Sequence, residues 1–196
     1  MISVVIPAYH EDTEVLQKCI DSVETAILYC PDEVEIYVAK DIQGVGAARN
    51  YGAAQTHGSI LVFFDADCTM SHNFLREVHF KAEVWENVGG GTKWVKLDRY
   101  SLGRIFSLIP IGVKLYWHQV TVGAIWVRRE YFTLLGGFKT QLLEDLDFVI
   151  RLRQLAKTTG KQFRSIKQSN IVWSTRSFDR YGEWFWVKKY RIFKEN

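Results

Sequence analysis

Apolar residues fall along this chain in two rhythms. Ile2-Ser3-Val4-Val5-Ile6 and Ile60-Leu61-Val62-Phe63-Phe64 are nearly unbroken apolar runs, as expected of strands buried on both faces of a parallel sheet. Between them, Leu16, Cys19, Ile20, Val23 and Ile27 recur at helical spacing, with Asp12 or Thr13 placed to cap that helix. Pro31-Asp32 breaks it, residues 34–39 read as a second strand, and Gly44 opens a second helix that runs to about Gln55. Strand, helix, strand, helix, strand predicts a parallel α/β sheet with right-handed crossovers, whose ligands bind beyond the carboxyl ends of the strands. Three loops should meet there, starting at Pro7-Ala8-Tyr9, Lys40-Asp41 and Asp65-Ala66-Asp67.

The second half is less regular. Ser71 is placed to cap a helix carrying Phe74, Leu75, Val78 and Ala82. Residues 88–97 read as a strand whose Gly89-Gly90-Gly91 marks a bulge or a close backbone approach. Residues 100–118 read as partly helical and 120–127 as a strand. A short helix over 129–135 stops at Gly136-Gly137. A long one follows from Glu144 to about Lys157, with Leu146, Val149, Ile150 and Leu155 facing inward, and residues 171–173 form a short last strand.

Composition narrows the class. At 196 residues, with 47% hydrophobic and 24% charged, the chain reads as one globular domain. A net charge of +3 gives no case for nucleic-acid binding. Three cysteines without paired spacing read as reduced thiols, and no Cys/His group has zinc spacing. The chain opens straight into a strand, so no secretory leader is expected. The longest uncharged stretch outside the strands, residues 105–113, is too short to span a bilayer, and a cytoplasmic protein is the expectation.

The candidate chemistry starts at Asp65 and Asp67. On an extended chain both side chains project to one side, and two carboxylates at the mouth of a buried strand repel unless a cation sits beside them. Oxygen ligands of this kind suit Mg²⁺ or Mn²⁺, which commonly hold substrate phosphates as well. An Asp-x-Asp triplet also occurs as a plain turn or helix cap. Glu144 and Asp145 have the same double reading, as helix-capping acids or as a catalytic pair. Gly44 and Gly46 do not make a dinucleotide fingerprint, because Arg49 occupies the third glycine position.

Taken in order, Val4-Val5-Ile6-Pro7-Ala8-Tyr9, Gly44-Val45-Gly46-Ala47-Ala48-Arg49-Asn50, Phe64-Asp65-Ala66-Asp67, Arg128-Arg129-Glu130-Tyr131-Phe132 with Leu135-Gly136-Gly137-Phe138, and Glu144-Asp145-Leu146-Asp147 closely resemble the family 2 glycosyltransferases, which are inverting enzymes of the GT-A fold. The resemblance covers about residues 2 to 155. It implies an α/β GT-A fold, a mostly parallel central sheet flanked by helices, with a catalytic domain over 1–175 and an aromatic-basic segment over 176–196. It implies a hexosyltransferase moving sugar from a UDP- or GDP-linked donor to an acceptor hydroxyl or phosphate, with Mg²⁺ or Mn²⁺ as cofactor. Pro7, Ala8 and Tyr9 fall where the family lines the base and ribose, with Glu11 in the same donor loop. Arg49 falls near the nucleotide. Asp65, Ala66 and Asp67 match the family's Asp-x-Asp, with Asp67 the more direct metal ligand. Asp145 matches the general base, with Glu144 and Asp147 as acceptor-side or supporting acids.

The chain departs from the family pattern in two places. Lys40-Asp41-Ile42-Gln43 runs almost at once into Gly44, so a helix–strand unit is shortened or missing, and Asp41 is the candidate replacement for the base-reading acid. The Gln-x-x-Arg-Trp motif of processive enzymes is absent, which disfavours long-chain polysaccharide synthesis. Near the C-terminus, Arg176, Arg180, Lys188 and Lys189 interleave with Phe178, Tyr181, Trp184, Phe185 and Trp186. This tail reads as an amphipathic helix on the domain, as a contact with an anionic membrane suited to a lipid-linked acceptor, or as a loop that closes Arg176 or Arg180 over the diphosphate. A non-catalytic nucleotide-sugar binder is the alternative on the same scaffold. A sugar nucleotidyltransferase is disfavoured, because the loop after the first strand has neither Gly nor Lys.

Overall fold

The computed structural model describes residues 1–103, 106, 123–182, 184, 187 and 188. Most of the helix expected over 100–118, the first residues of the strand expected from 120, and tail residues 183, 185, 186 and 189–196 lie outside that set.

The first half follows the expected alternation: β1 (Ile2–Ala8), α1 (Thr13–Ile27), β2 (Val34–Lys40), α2 (Val45–Ala54) and β3 (Ile60–Phe64). Asp12 caps α1, its carboxylate accepting from Glu14 N at 2.9 Å and Val15 N at 3.1 Å. The second half comprises β4 (Cys68–Met70), α3 (Phe74–Glu83), β5 (Asn87–Leu97), β6 (Ala124–Arg128), α4 (Arg129–Leu134), α5 (Glu144–Thr158), β7 (Gln162–Phe163), β8 (Ile166–Trp173) and α6 (Arg176–Tyr181).

These strands form one mixed sheet in the order β2-β1-β3-β6-β5-β8-β4, with β7 beside β5. β1 lies parallel to β2 and β3, so Val4 is level with Ile36 and Val62. β6 then enters antiparallel between β3 and β5, with Phe63 opposite Ile125 and Gly90 opposite Trp126. The alternation of β3 divides its side chains between two cores. Val62 and Phe64 pack with Cys19 and Val23 of α1 and Phe74 and Val78 of α3, while Leu61 and Phe63 pack with Ala53 of α2, Phe132 of α4 and Phe148 of α5.

The triple glycine of β5 is a close backbone approach. A Cβ on Gly90 would collide with the Arg164 carbonyl, and one on Gly89 would lie 2.5 Å from the Trp126 carbonyl. Two local expectations are corrected. Ser71 does not cap α3. Its hydroxyl accepts from Asn170 N at 3.2 Å and ties the loop to β8. Ile150 faces outward at 39% exposure, and Phe148 and Leu152 fill the core instead.

Candidate functional site

The carboxyl ends of β1, β2 and β3 share one edge, where the register places Ala8 beside Lys40 and brings the following Tyr9 and Asp41 to the same rim. Ala8 is buried and Tyr9 is half-exposed, its ring 4.2 Å from that of His10. Asp41 is exposed on left-handed backbone, with φ 58°. Glu11 turns inward, toward the acids that follow β3.

Asp65, Ala66 and Asp67 form a turn, closed by Cys68 N donating to Asp65 O at 3.0 Å. The two carboxylates therefore converge through a turn, not through strand alternation. One ligand atom from each of Asp65, Asp67 and Cys68 lies within 4.8 Å of the others. The thiol of Cys68 lies 3.7 Å from Asp67 Oδ1, and that of Cys19 lies 3.6 Å from Asp65 O. Burial and the nearby carboxylates push both thiols well above the usual cysteine range.

Arg49, on α2, joins this turn to α5. One guanidinium nitrogen donates to Asp65 Oδ1 at 2.6 Å and another to Glu144 Oε1 at 3.0 Å, and the group sits 5.0 Å over the Phe138 ring. The side chain is 5% exposed, so Arg49 braces two acids instead of presenting itself to solvent. The neighbouring Asn50 secures the loop that leads into α5: its amide donates to Phe138 O at 2.8 Å, and its oxygen accepts from Phe138 N at 2.9 Å. Gly137, with φ 71°, leaves room for that amide. Asp147 is committed to Arg151 at 2.7 Å and Lys139 at 3.5 Å, and Arg151 in turn donates to Leu135 O and Gly137 O. Asp147 is thus a structural acid of the glycine turn. Asp145 lies in the first turn of α5, one oxygen accepting from Leu146 N at 2.8 Å.

Charge is unevenly shared among these acids. Burial raises Glu144 above the usual carboxylate range, against the pull of Arg49. Burial and Asp65 push Asp67 up to about 7, against the pull of Arg176. Arg176 pairs with Glu11 and lies 3.8 Å from Asp67 Oδ2. Arg180 is exposed, with its guanidinium 5.8 Å from the centre of the Tyr181 ring. Without a cation Asp67 is therefore partly protonated near neutral pH, and the Asp65–Asp67 carboxylate pair at ligand spacing, with Cys68 beside it, fits a divalent cation that would take the place of that proton.

The sequence pointed to both acidic pairs but not to Cys68, Asn50 or the span of Arg49. Cys68 was signalled only by following Asp67 directly, and Asn50 only by following Arg49.

Comparisons with known proteins bear on the family and the fold. The family model described as glycosyl transferase family 2 matches residues 37–132. The glycosyltransferase AglE of Haloferax volcanii is 32% identical over 100 residues, covering 38% of this chain and 33% of that protein. The matched segment thus amounts to about a third of the curated relative's length. Among solved structures, S. aureus TarS overlays 93% of this chain on 38% of its own with a TM-score of 0.62 at 15% identity. A structure of TarS residues 1–349 overlays 88% of this chain on 57% of its own with a TM-score of 0.56 at 14% identity. At such identities the likeness is one of fold.

Proposed function

This chain belongs to glycosyl transferase family 2 and has the GT-A fold, and from that premise we propose that it moves a sugar from a nucleotide diphosphate donor to an acceptor hydroxyl or phosphate with inversion at the anomeric carbon. One observation carries the reading. Asp65, at the end of β3, and Glu144, at the start of α5, are 79 residues apart in the chain yet share the guanidinium of Arg49. That brace supports placing the donor-side and acceptor-side acids on one rim.

Each residue then has a task. Pro7, Ala8, Tyr9 and Asp41 form the wall on which base and ribose would rest. Asp65 and Asp67, with Cys68 adjacent, would hold Mg²⁺ or Mn²⁺. When bound, the cation supplies positive charge against the charge that builds on the departing diphosphate. Asp145 accepts the acceptor's proton as its oxygen bonds to the anomeric carbon and the bond to the diphosphate breaks. Glu144, held by Arg49, fixes the start of α5 and hence the aim of Asp145. Arg176 stands within reach of a diphosphate at Asp67. Exposed Tyr181 and Trp184, beside Arg180, suit contact with an anionic membrane and so a lipid-linked acceptor. No helix among the described residues is long and apolar enough to cross a membrane.

The test is Asp145→Asn. It should lower transfer by roughly 10²- to 10⁴-fold while leaving donor affinity within about threefold. Transfer at the wild-type rate would remove Asp145 from the reaction.

A further inference from the structure

Asp65 and Asp67 each have an arginine, and the two arginines are held differently. Arg49 is buried and has a second fixed partner in Glu144, so it belongs to the scaffold. The Arg176 side chain is 38% exposed and sits at the rim between Glu11 and Asp67. The backbone that carries it is firmly anchored. Ser174 N donates to Asp67 O at 3.2 Å, and Thr175 donates to Asp98 Oδ1 from its amide at 2.9 Å and from its hydroxyl at 2.7 Å. Asp98 itself directly follows β5, its amide donating to Trp173 O at 3.1 Å. The anchor fixes where the guanidinium starts; its direct ion-pair partner is Glu11, and Asp67, at 3.8 Å, is the longer contact from which a cation would displace it.

A cation bound to Asp67 and a guanidinium 3.8 Å from the same carboxylate would repel each other. We infer that Arg176 is the resident counter-charge of Asp67, displaced when a divalent cation binds, with Asp98 as the residue that positions it through Thr175. The inference rests on the metal and donor reading above and adds a competition to it. Without donor, Arg176 opposes the cation. With donor, a diphosphate brings enough negative charge for cation and arginine to bind together.

The two halves of this exchange predict opposite signs for one substitution. Mn²⁺ binding is measured by the loss of the free-ion electron paramagnetic resonance signal, without nucleotide, for wild type, Arg176→Gln and Arg176→Lys. Arg176→Gln should bind Mn²⁺ about tenfold more tightly than wild type, and Arg176→Lys should stay close to wild type. With Mn²⁺ saturating, UDP or GDP should bind Arg176→Gln about tenfold more weakly than wild type. A purely structural Arg176 would move both affinities the same way. Mn²⁺ binding to Arg176→Gln that equals or falls below wild type overturns the inference and leaves the metal reading standing. Failure of wild type and of both variants to bind Mn²⁺ overturns the inference and the metal reading together. If neither UDP nor GDP binds wild type, the donor reading falls and the Mn²⁺ comparison alone decides the inference.

Discussion

At the scale of single residues, Asp67 carries the strongest physical signature, because burial and Asp65 raise it to about 7. The folded protein therefore keeps a proton between about pH 4 and 7 that the unfolded chain has lost, so stability falls as pH rises through that window. Asp67→Asn removes the penalty. Without metal at pH 8 it should unfold about 1–2 kcal/mol less readily than wild type, a rise in melting temperature of about 4 °C, and the gap should close by pH 4. Metal should stabilise wild type and leave the variant unmoved. Parallel pH–stability curves for the two proteins would show that Asp67 lacks the raised affinity for protons. The acids themselves were legible because carboxylates at the end of a wholly apolar strand are anomalous. Which of them Arg49 would meet was not, since Glu144 lies 95 residues further along the chain.

At the scale of elements, the junction of β6 and α4 fastens the helices on both sides of the sheet. Arg128 donates to the carbonyls of Ala82, Val84 and Asn87 and closes the end of α3. Arg129 donates to Ala53 O and Gly58 O, both at 2.6 Å, and to Thr56 Oγ1 at 3.1 Å, closing the end of α2. Because α2 carries Arg49 and Asn50, this junction also steadies the site. Arg129→Ala should cost about 2–3 kcal/mol in urea unfolding with an unchanged denaturant slope. A loss under about 0.5 kcal/mol would mean that water replaces those contacts at no cost. Helices with a clear apolar stripe, such as α1, were readable down to a cap at Asp12 or Thr13, of which the structure uses Asp12. β4 and β7 were not, being three and two residues long and defined by their partners. Ser71 and Ile150 were misjudged for the same reason: a neighbouring strand claimed the hydroxyl, and Phe148 took the core position.

At the scale of the whole molecule, the site lies where two kinds of sheet meet. The parallel part, β2-β1-β3, follows from the regular alternation of strands and helices in the first 64 residues. The antiparallel entry of β6 beside β3 depends on contacts distant in sequence, and no local pattern announces it. The Asp65–Asp67 turn sits on that seam, with Asp65 N donating to Gly123 O at 3.0 Å just before β6 begins. The donor-side acids and their brace Arg49 thus come from the half that periodicity reveals, and Glu144 and Arg176, which complete the cluster, from the half that it does not. As proposed, this seam binds a nucleotide diphosphate sugar through a divalent cation. The most direct measurement is the melting temperature with a panel of UDP- and GDP-sugars, each with Mn²⁺ and with a chelator. One donor at about 100 times its dissociation constant should raise it by roughly 5–10 °C with Mn²⁺ and have little effect with the chelator. No shift with any donor, or one that survives chelation unchanged, would mean that the seam does not hold a donor through a cation.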